Sequence, residues 1–242
     1  MTQSFDLAIF WRGEDISIPE RLVRSARRSF GPDFDIYQLT DDTTPAIPMV
    51  TRCDRSQLDR HIMVARLEAC ARLKLKRPTL FLDADMLILE KFELPAMSAN
   101  EVLVTKRQQD FRINANYPEY YPEFVGKIIS EVMPFVFSFV ATGNDEFFQS
   151  LLSNLRPLPE RFHRWYGDQV SLKQEYEKQK FKFGVLPEEK FNFPVRRGLR
   201  AEEVIELTEK IGVKILHFKG PDSKQGQSET ADVLSEIHLE QK

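Results

Sequence analysis

Thr79-Leu80-Phe81-Leu82-Asp83-Ala84-Asp85-Met86-Leu87-Ile88-Leu89 sets two carboxylates, one residue apart, inside an otherwise apolar run. The flanking residues do not alternate with polar ones, which is the pattern of a central strand covered on both faces. A buried charge without a partner is costly, so the acids need an explanation. A hard divalent cation takes carboxylate oxygens readily. At the C-terminal end of a parallel strand both side chains reach the crevice where open α/β sheets bind ligands. The alternative is an exposed strand end, or two acids capping the next turn.

Upstream, Leu58, Ile62, Ala65, Ala69 and Leu73 recur every three or four residues, which predicts an amphipathic helix ending near Lys74 to Arg77. Pro78 closes it. The two-proline stretch Thr43 to Arg55 reads as a loop. Before it, Phe5 to Trp11 predicts a strand buried on both faces, and Leu22, Val23, Ala26 and Phe30 a helix with Pro19 in its first turn and Gly31-Pro32 as its stop. Asp35 to Leu39 predicts the next strand. This β-α-β order favours a parallel sheet.

Downstream, Glu101 to Thr105, Val136 to Ala141, Phe181 to Leu186 and Val213 to Phe218 read as strands. Asn144 and Asp168 read as caps of helices running to about Leu155 and Lys180, and Ala201 to Ile211 reads as a further helix. Asp110 to Pro122 is an irregular loop whose Tyr117, Tyr120 and Tyr121 suit sugar stacking or a packed lid. Ser223 to Lys242 is polar and reads as a final helix or a tail.

A length of 242 residues, 42% hydrophobic and 29% charged, is that of a soluble globular chain with one large core. The net charge of −3 argues against nucleic acid as a partner. Arg21, Arg24, Arg27 and Arg28 share a helix face, a solvated stripe first and a peripheral membrane contact second. The two cysteines, Cys53 and Cys70, form neither a disulfide framework nor a zinc spacing, which fits a reducing compartment. The N-terminus lacks a signal-peptide pattern, and the longest apolar run, Val132 to Ala141, is too short to cross a bilayer. A soluble cytoplasmic protein is expected.

The Asp-x-Asp after an apolar strand, with Ala65-Arg66-Leu67 one helix upstream, resembles the GT-A glycosyltransferases, and within them the retaining glycogenin-like and lipopolysaccharide galactosyltransferase-like family. Gly167-Asp168-Gln169, Leu186-Pro187, Phe191-Asn192 and Ile215-Leu216-His217-Phe218-Lys219-Gly220 resemble further elements of that family in the same order. The resemblance implies an α/β fold, a Rossmann-like single domain (residues 1–222) with a mostly parallel central sheet flanked by helices, followed by a polar tail (223–242). It implies a nucleotide-sugar donor, UDP-sugar first, and a glycan, lipid or protein acceptor. Asp83, Asp85 and His217 would hold a divalent cation, Mn²⁺ first and Mg²⁺ second, since a neutral imidazole beside carboxylates suits such ions. Asp83 and Arg66 would also face the donor, Asp168 would take sugar hydroxyls, and Gln169 would lie at the β-face of the anomeric carbon. Gly220 and Lys224 would approach the diphosphate. Trp11 and Asp15, after the first strand, lie where such sheets meet the base and ribose. Trp11 reads equally as core, Asp168 as a cap and Arg66 as an ion-paired helix residue.

The chain departs from the family in three places. Lys224 stands one residue beyond the usual lysine with no Pro-Trp after it, Val170 replaces an acid, and Phe135 to Val140 lacks the Asn-Ser/Ala-Gly segment. Two rivals share features with it. A haloacid-dehalogenase-like phosphatase also uses Asp-x-Asp and a metal, but places it near the N-terminus with Thr or Val where Leu87 stands. A noncatalytic nucleotide-sugar-binding protein would keep the fold without transfer.

Overall fold

The computed structural model describes residues 2–108, 110–114, 121–195, 200–219 and 223–240. After a two-residue β1 (Thr2–Gln3), the predicted β-α-β unit is present: β2 (Asp6–Phe10), α1 (Ser17–Phe30) and β3 (Ile36–Thr40), with β2 and β3 parallel. Pro19 is buried in the first turn of α1, and Gly31 ends the helix at φ 91°, a conformation L side chains rarely adopt. β4 (Arg52–Arg55) adds parallel to β3, where the sequence reads as a loop. Arg-Cys-Asp-Arg shows no apolar pattern because this edge strand buries neither face fully, and its pairing is made by backbone alone.

Asp41, just past β3, accepts hydrogen bonds from the backbone and hydroxyl of both Thr43 and Thr44, and Arg12 donates to it at 2.8 Å. Burial pushes its carboxyl up, but these hydrogen bonds outweigh it and hold it at about 2. A value below the unfolded one contributes stability that is full above the unfolded pKa of about 4 and lost as pH falls through the folded one. Asp41→Asn is expected to cost about 1–2 kcal/mol at neutral pH. Urea melts should show its acid loss flattened relative to the parent, and parallel profiles would refute the assignment.

α2 (Ile62–Arg72) starts later and ends earlier than its apolar spacing predicts. The Asp59 carboxylate accepts the His61 N–H at 2.7 Å and so shapes the turn before the helix, while Leu58 packs on the same core from outside it. β5 (Thr79–Leu82) then enters the main sheet. A single strand was expected across the acidic pair. Instead the chain turns at Asp83–Asp85, and β6 (Met86–Ile88) joins a second, small sheet. Continuous burial on both sides of a turn reads in sequence as one strand.

β7 (Leu94–Pro95) pairs with β1, and β8 (Glu101–Lys106), α3 (Ile129–Val132), β9 (Phe135–Thr142), α4 (Glu146–Leu155), α5 (Glu160–Arg164), α6 (Gly167–Lys178) and β10 (Lys182–Pro187) follow. The main sheet has the order β10-β8-β9-β5-β2-β3-β4, with β9 running against its two neighbours and the other pairs parallel. Its two faces feed two cores. Phe81 and Phe137 meet α2 and α4 on one side, and Leu7, Ile9, Leu80 and Phe139 meet α1 on the other. Asn144 was expected to cap α4; Asp145 holds the N-cap position instead, and the Asn144 carboxamide, one residue earlier, accepts the Glu146 N–H at 2.9 Å.

The chain ends through α7 (Glu188–Phe191), β11 (Phe193–Pro194), α8 (Ala201–Ile211), β12 (Ile215–His217) and α9 (Ser223–Glu240). The small sheet, ordered β11-β12-β6, sets His217 opposite Met86, immediately beside Asp85. Within the polar stretch, Ser223–Glu240 is helical, and its Gln227 and Thr230 are buried. Among the described residues no helix is long and apolar enough to cross a membrane.

Candidate metal centre

The acidic turn is pinned from three sides. The Asp83 N–H donates to the Ser138 carbonyl at 3.2 Å, the Asp85 carbonyl accepts the Phe218 N–H at 2.9 Å, and the Gln227 amide donates to the Ala84 and Met86 carbonyls, both at 3.2 Å. The backbone is thus fixed while both carboxylates stay partly open to solvent, at 27% and 30% exposure, rather than sealed inside the sheet. His217 arrives buried from β12, its Nε2 at 3.3 Å from Asp85 Oδ1 and 3.9 Å from Asp83 Oδ2. One ligand atom from each of the three lies within 4.8 Å of the others.

The tautomer of His217 follows from its other nitrogen. Asn192 Oδ1 lies 2.7 Å from Nδ1, and the Asn192 amide nitrogen donates to the Thr105 and Ser138 hydroxyls at 2.9 Å each, which fixes the carboxamide orientation. Nδ1 therefore carries a proton, and burial pushes the imidazole below its ordinary value, with Asp85 opposing that. Its other ring nitrogen, Nε2, is the one turned toward the two carboxylates. Two carboxylates and an imidazole nitrogen turned on one point fit a divalent cation.

Arg66, on α2, joins this cluster to a second one. One guanidinium nitrogen donates to Asp83, another to Asp168 Oδ2 at 3.0 Å, and the group lies 4.4 Å from the centre of the Phe137 ring. Asp168 was expected to cap α6. The helix instead begins at Gly167 after Tyr166, whose φ of 59° turns the chain, and Asp168 sits in the first turn. Gly167 is required there, because a Cβ would collide with the Phe162 carbonyl oxygen. Asp168 is 2% exposed and accepts its neighbour Gln169 N–H at 2.7 Å. Burial pushes its carboxyl up, and Arg66 opposes that. The Gln169 side chain accepts from the buried Arg107, whose Nε donates to the Met133 carbonyl at 3.0 Å.

Among solved structures, the chain is similar to the glycosyltransferase GlyE of Streptococcus pneumoniae TIGR4, at TM-score 0.56 and 15% identity, over 99% of this chain and 64% of that one. WbbM, a bifunctional glycosyltransferase, is similar at TM-score 0.52 and 14% identity over 99% and 52%. The galactosyltransferase LgtC, solved with donor and acceptor sugar analogues, is similar at TM-score 0.57 and 13% identity over 96% and 95%. The fold is that of GT-A glycosyltransferases. The chain spans less than two thirds of GlyE and about half of WbbM. No protein-family model and no curated protein matches the sequence.

In this GT-A fold the remaining expected residues are placed unevenly. Trp11 follows β2, the neighbour of β5, and packs half-buried on the core with its indole N–H buried and unpartnered. Asp15 is exposed and accepts the Ser17 N–H at 3.0 Å at the start of α1. Gly220 lies outside the described residues, as do Tyr117, Tyr120 and the side chain of Lys224. Tyr121 is buried against Phe124, Phe162 and Tyr166, and its hydroxyl donates to the Trp165 carbonyl.

Two residues beside the cluster carried little signal in the sequence. Lys219, two positions past His217, is pushed below its ordinary value by burial, with Glu188 and Asp85 opposing, and makes no ion pair among the described residues. Its sequence signal was a lysine inside the His-Phe-Lys-Gly match. Asn192 orients His217 and had no signal beyond Phe-Asn. Asn192→Ala is expected to weaken Mn²⁺ binding about 10–100-fold, the usual effect of losing the partner that orients a ligating histidine. Calorimetric titration checks this, and unchanged affinity would remove Asn192 from the centre.

Proposed function

We propose that the chain is a metal-dependent glycosyltransferase that moves a sugar from a nucleotide diphosphate, UDP first, to a glycan, lipid or protein acceptor with retention at the anomeric carbon. The observation that carries this reading is the convergence of Asp83, Asp85 and His217 at the open end of β5, linked through Arg66 to Asp168 and Gln169 in a GT-A fold. A divalent cation, Mn²⁺ before Mg²⁺, would be held by those three side chains and supply Lewis-acid stabilisation of the leaving diphosphate.

The chain's own groups do the rest. Lys219 is the half-buried amine we assign to the diphosphate, in the role otherwise left to Gly220 and Lys224. Arg66 carries positive charge to the donor side and opposes the burial that raises the Asp168 carboxyl, and Asp168 would accept sugar hydroxyls. Gln169, held by Arg107, presents its amide toward the anomeric carbon. Trp11, with its unpartnered indole N–H, and Asp15 meet the nucleoside. Residues 1–222 supply every one of these contacts except Lys224. Free Cys53 and Cys70 suit work in the reducing cytoplasm.

A panel of nucleotide sugars with Mn²⁺, read by melting temperature and by release of free nucleotide, tests the proposal. One donor should raise the melting point and be turned over. A shift without release would mark a noncatalytic binder, turnover of a generic phosphate ester with no nucleotide-sugar response would mark a phosphatase, and no shift at all would sink the reading.

A further inference from the structure

The basic stripe of α1 divides according to its partners. Arg27 is used structurally: Nε donates to the Met49 carbonyl at 2.9 Å and Nη1 to the Pro32 carbonyl at 2.7 Å. Arg24 pairs with Glu20 at 2.6 Å. Arg21 and Arg28 make no ion pair among the described residues. Arg28 reaches only the Ile88 carbonyl, at 3.4 Å, and burial lowers its guanidinium with no carboxylate offsetting the effect. Arg28 Nε and Arg21 Nη1 are both buried without a hydrogen-bond partner.

Both arginines line a cleft of about 450 Å³ between α1 and α9, with Leu87 of β6 in its wall and the serines Ser17 and Ser228 at its sides. Two carboxylates also border it. Glu20 is taken by Arg24, and Asp232 is exposed, so cationic charge is in excess within the cleft. Ser17, Arg21, Arg24 and Arg28 follow one another at three- and four-residue steps, which turns them to one side of the helix. Guanidinium groups match phosphate oxygens in bidentate geometry. The volume suits a small organic molecule better than a bare ion.

We infer that this cleft is a second ligand site, for a phosphate monoester, with Arg21 and Arg28 on the phosphate, Arg24 at its rim and the carbon portion against Leu87 and Ala231. The site is separate from Asp83, Asp85 and His217 and does not depend on the glycosyltransferase reading. A soluble phosphate ester and a lipid headgroup share this chemistry.

Inorganic phosphate and glycerol 3-phosphate would be titrated calorimetrically into the full chain without divalent metal. Cosedimentation would compare phosphatidylcholine vesicles with and without phosphatidic acid. Because a diphosphate site also attracts phosphate, Asp83→Ala/Asp85→Ala is run alongside Arg21→Gln/Arg28→Gln. The expected result is binding kept in the aspartate variant and weakened about tenfold or more in the arginine variant, the scale of losing charge-assisted hydrogen bonds. Loss of glycerol 3-phosphate binding identifies a soluble ligand, and loss of phosphatidic acid-dependent cosedimentation a lipid headgroup. No binding of any probe, binding that the arginine variant retains, or binding lost only in the aspartate variant overturns the inference. If the double arginine variant does not fold, Arg21→Gln alone carries the same test, since the Arg21 side chain makes no hydrogen bond among the described residues.

Discussion

Replacing Asp83 and Asp85 together by alanine is expected to lower nucleotide-sugar turnover by about 10³-fold or more, equivalent to some 4 kcal/mol of lost transition-state stabilisation. Both carboxylates stand at the open end of β5, and the backbone turn that carries them is held by Ser138, Phe218 and Gln227 rather than by the acids themselves. Stability in metal-free buffer should therefore change by only about 1 kcal/mol, the scale of a partly exposed ion pair. Addition of Mn²⁺ should raise the melting point of the parent and not of the variant. Turnover assays and melting curves together check this. A variant that turns over donor at the parental rate would contradict the role, whatever its stability.

Arg66→Met is expected to damage both the fold and the site. Arg66 is the cation beside the buried Asp168, which otherwise has its own helix amides. Removing one partner of a buried ion pair costs about 3–5 kcal/mol, because the remaining charge stays without compensation. The sign with pH follows from Asp168. Its carboxyl is already raised by burial, and loss of Arg66 raises it further. The folded variant then binds more protons than the unfolded chain above the unfolded pKa of about 4, so its stability falls as pH rises through that window. Urea melts at mildly acidic and neutral pH should show a deficit that is smaller in acid. A deficit independent of pH would mean that Arg66 acts through packing on Phe137 instead.

The parts of the fold that were legible are those governed by burial pattern. The unbroken apolar runs of Leu7 to Phe10 and Thr79 to Leu82, and the three- and four-residue spacing in α1 and α8, carry their own geometry. β4 was invisible because an edge strand made of Arg-Cys-Asp-Arg has no apolar side to reveal it. The departure of β6 into the small sheet was hidden for the opposite reason, since Met86 to Ile88 is as deeply buried there as in the main sheet. The extent of α2 was overestimated because Leu58 satisfies the same core from a turn.

The candidate site was legible where chemistry is scarce in its surroundings, as with two aspartates in an apolar run and a histidine after another. Partner identity was not. Arg66 meets Asp168 across 102 positions of sequence, and His217 meets Asn192 across 25, and no local pattern encodes either meeting. Asp168 read as a cap because a carboxylate in the first turn satisfies the same amides as one just before it, a difference of one or two residues in helix start. Lys219 went unassigned because the groups around it, Glu188 and Asp85, are brought there by tertiary packing.

The central claim is that Asp83, Asp85 and His217 hold a divalent cation where a nucleotide diphosphate binds. Crystals grown with Mn²⁺ and UDP, measured at the manganese absorption edge, test it most directly. The account predicts one anomalous peak bounded by carboxylate oxygens of Asp83 and Asp85 and by Nε2 of His217, with diphosphate oxygens completing its coordination. A peak elsewhere, or UDP density away from these three side chains, would contradict it.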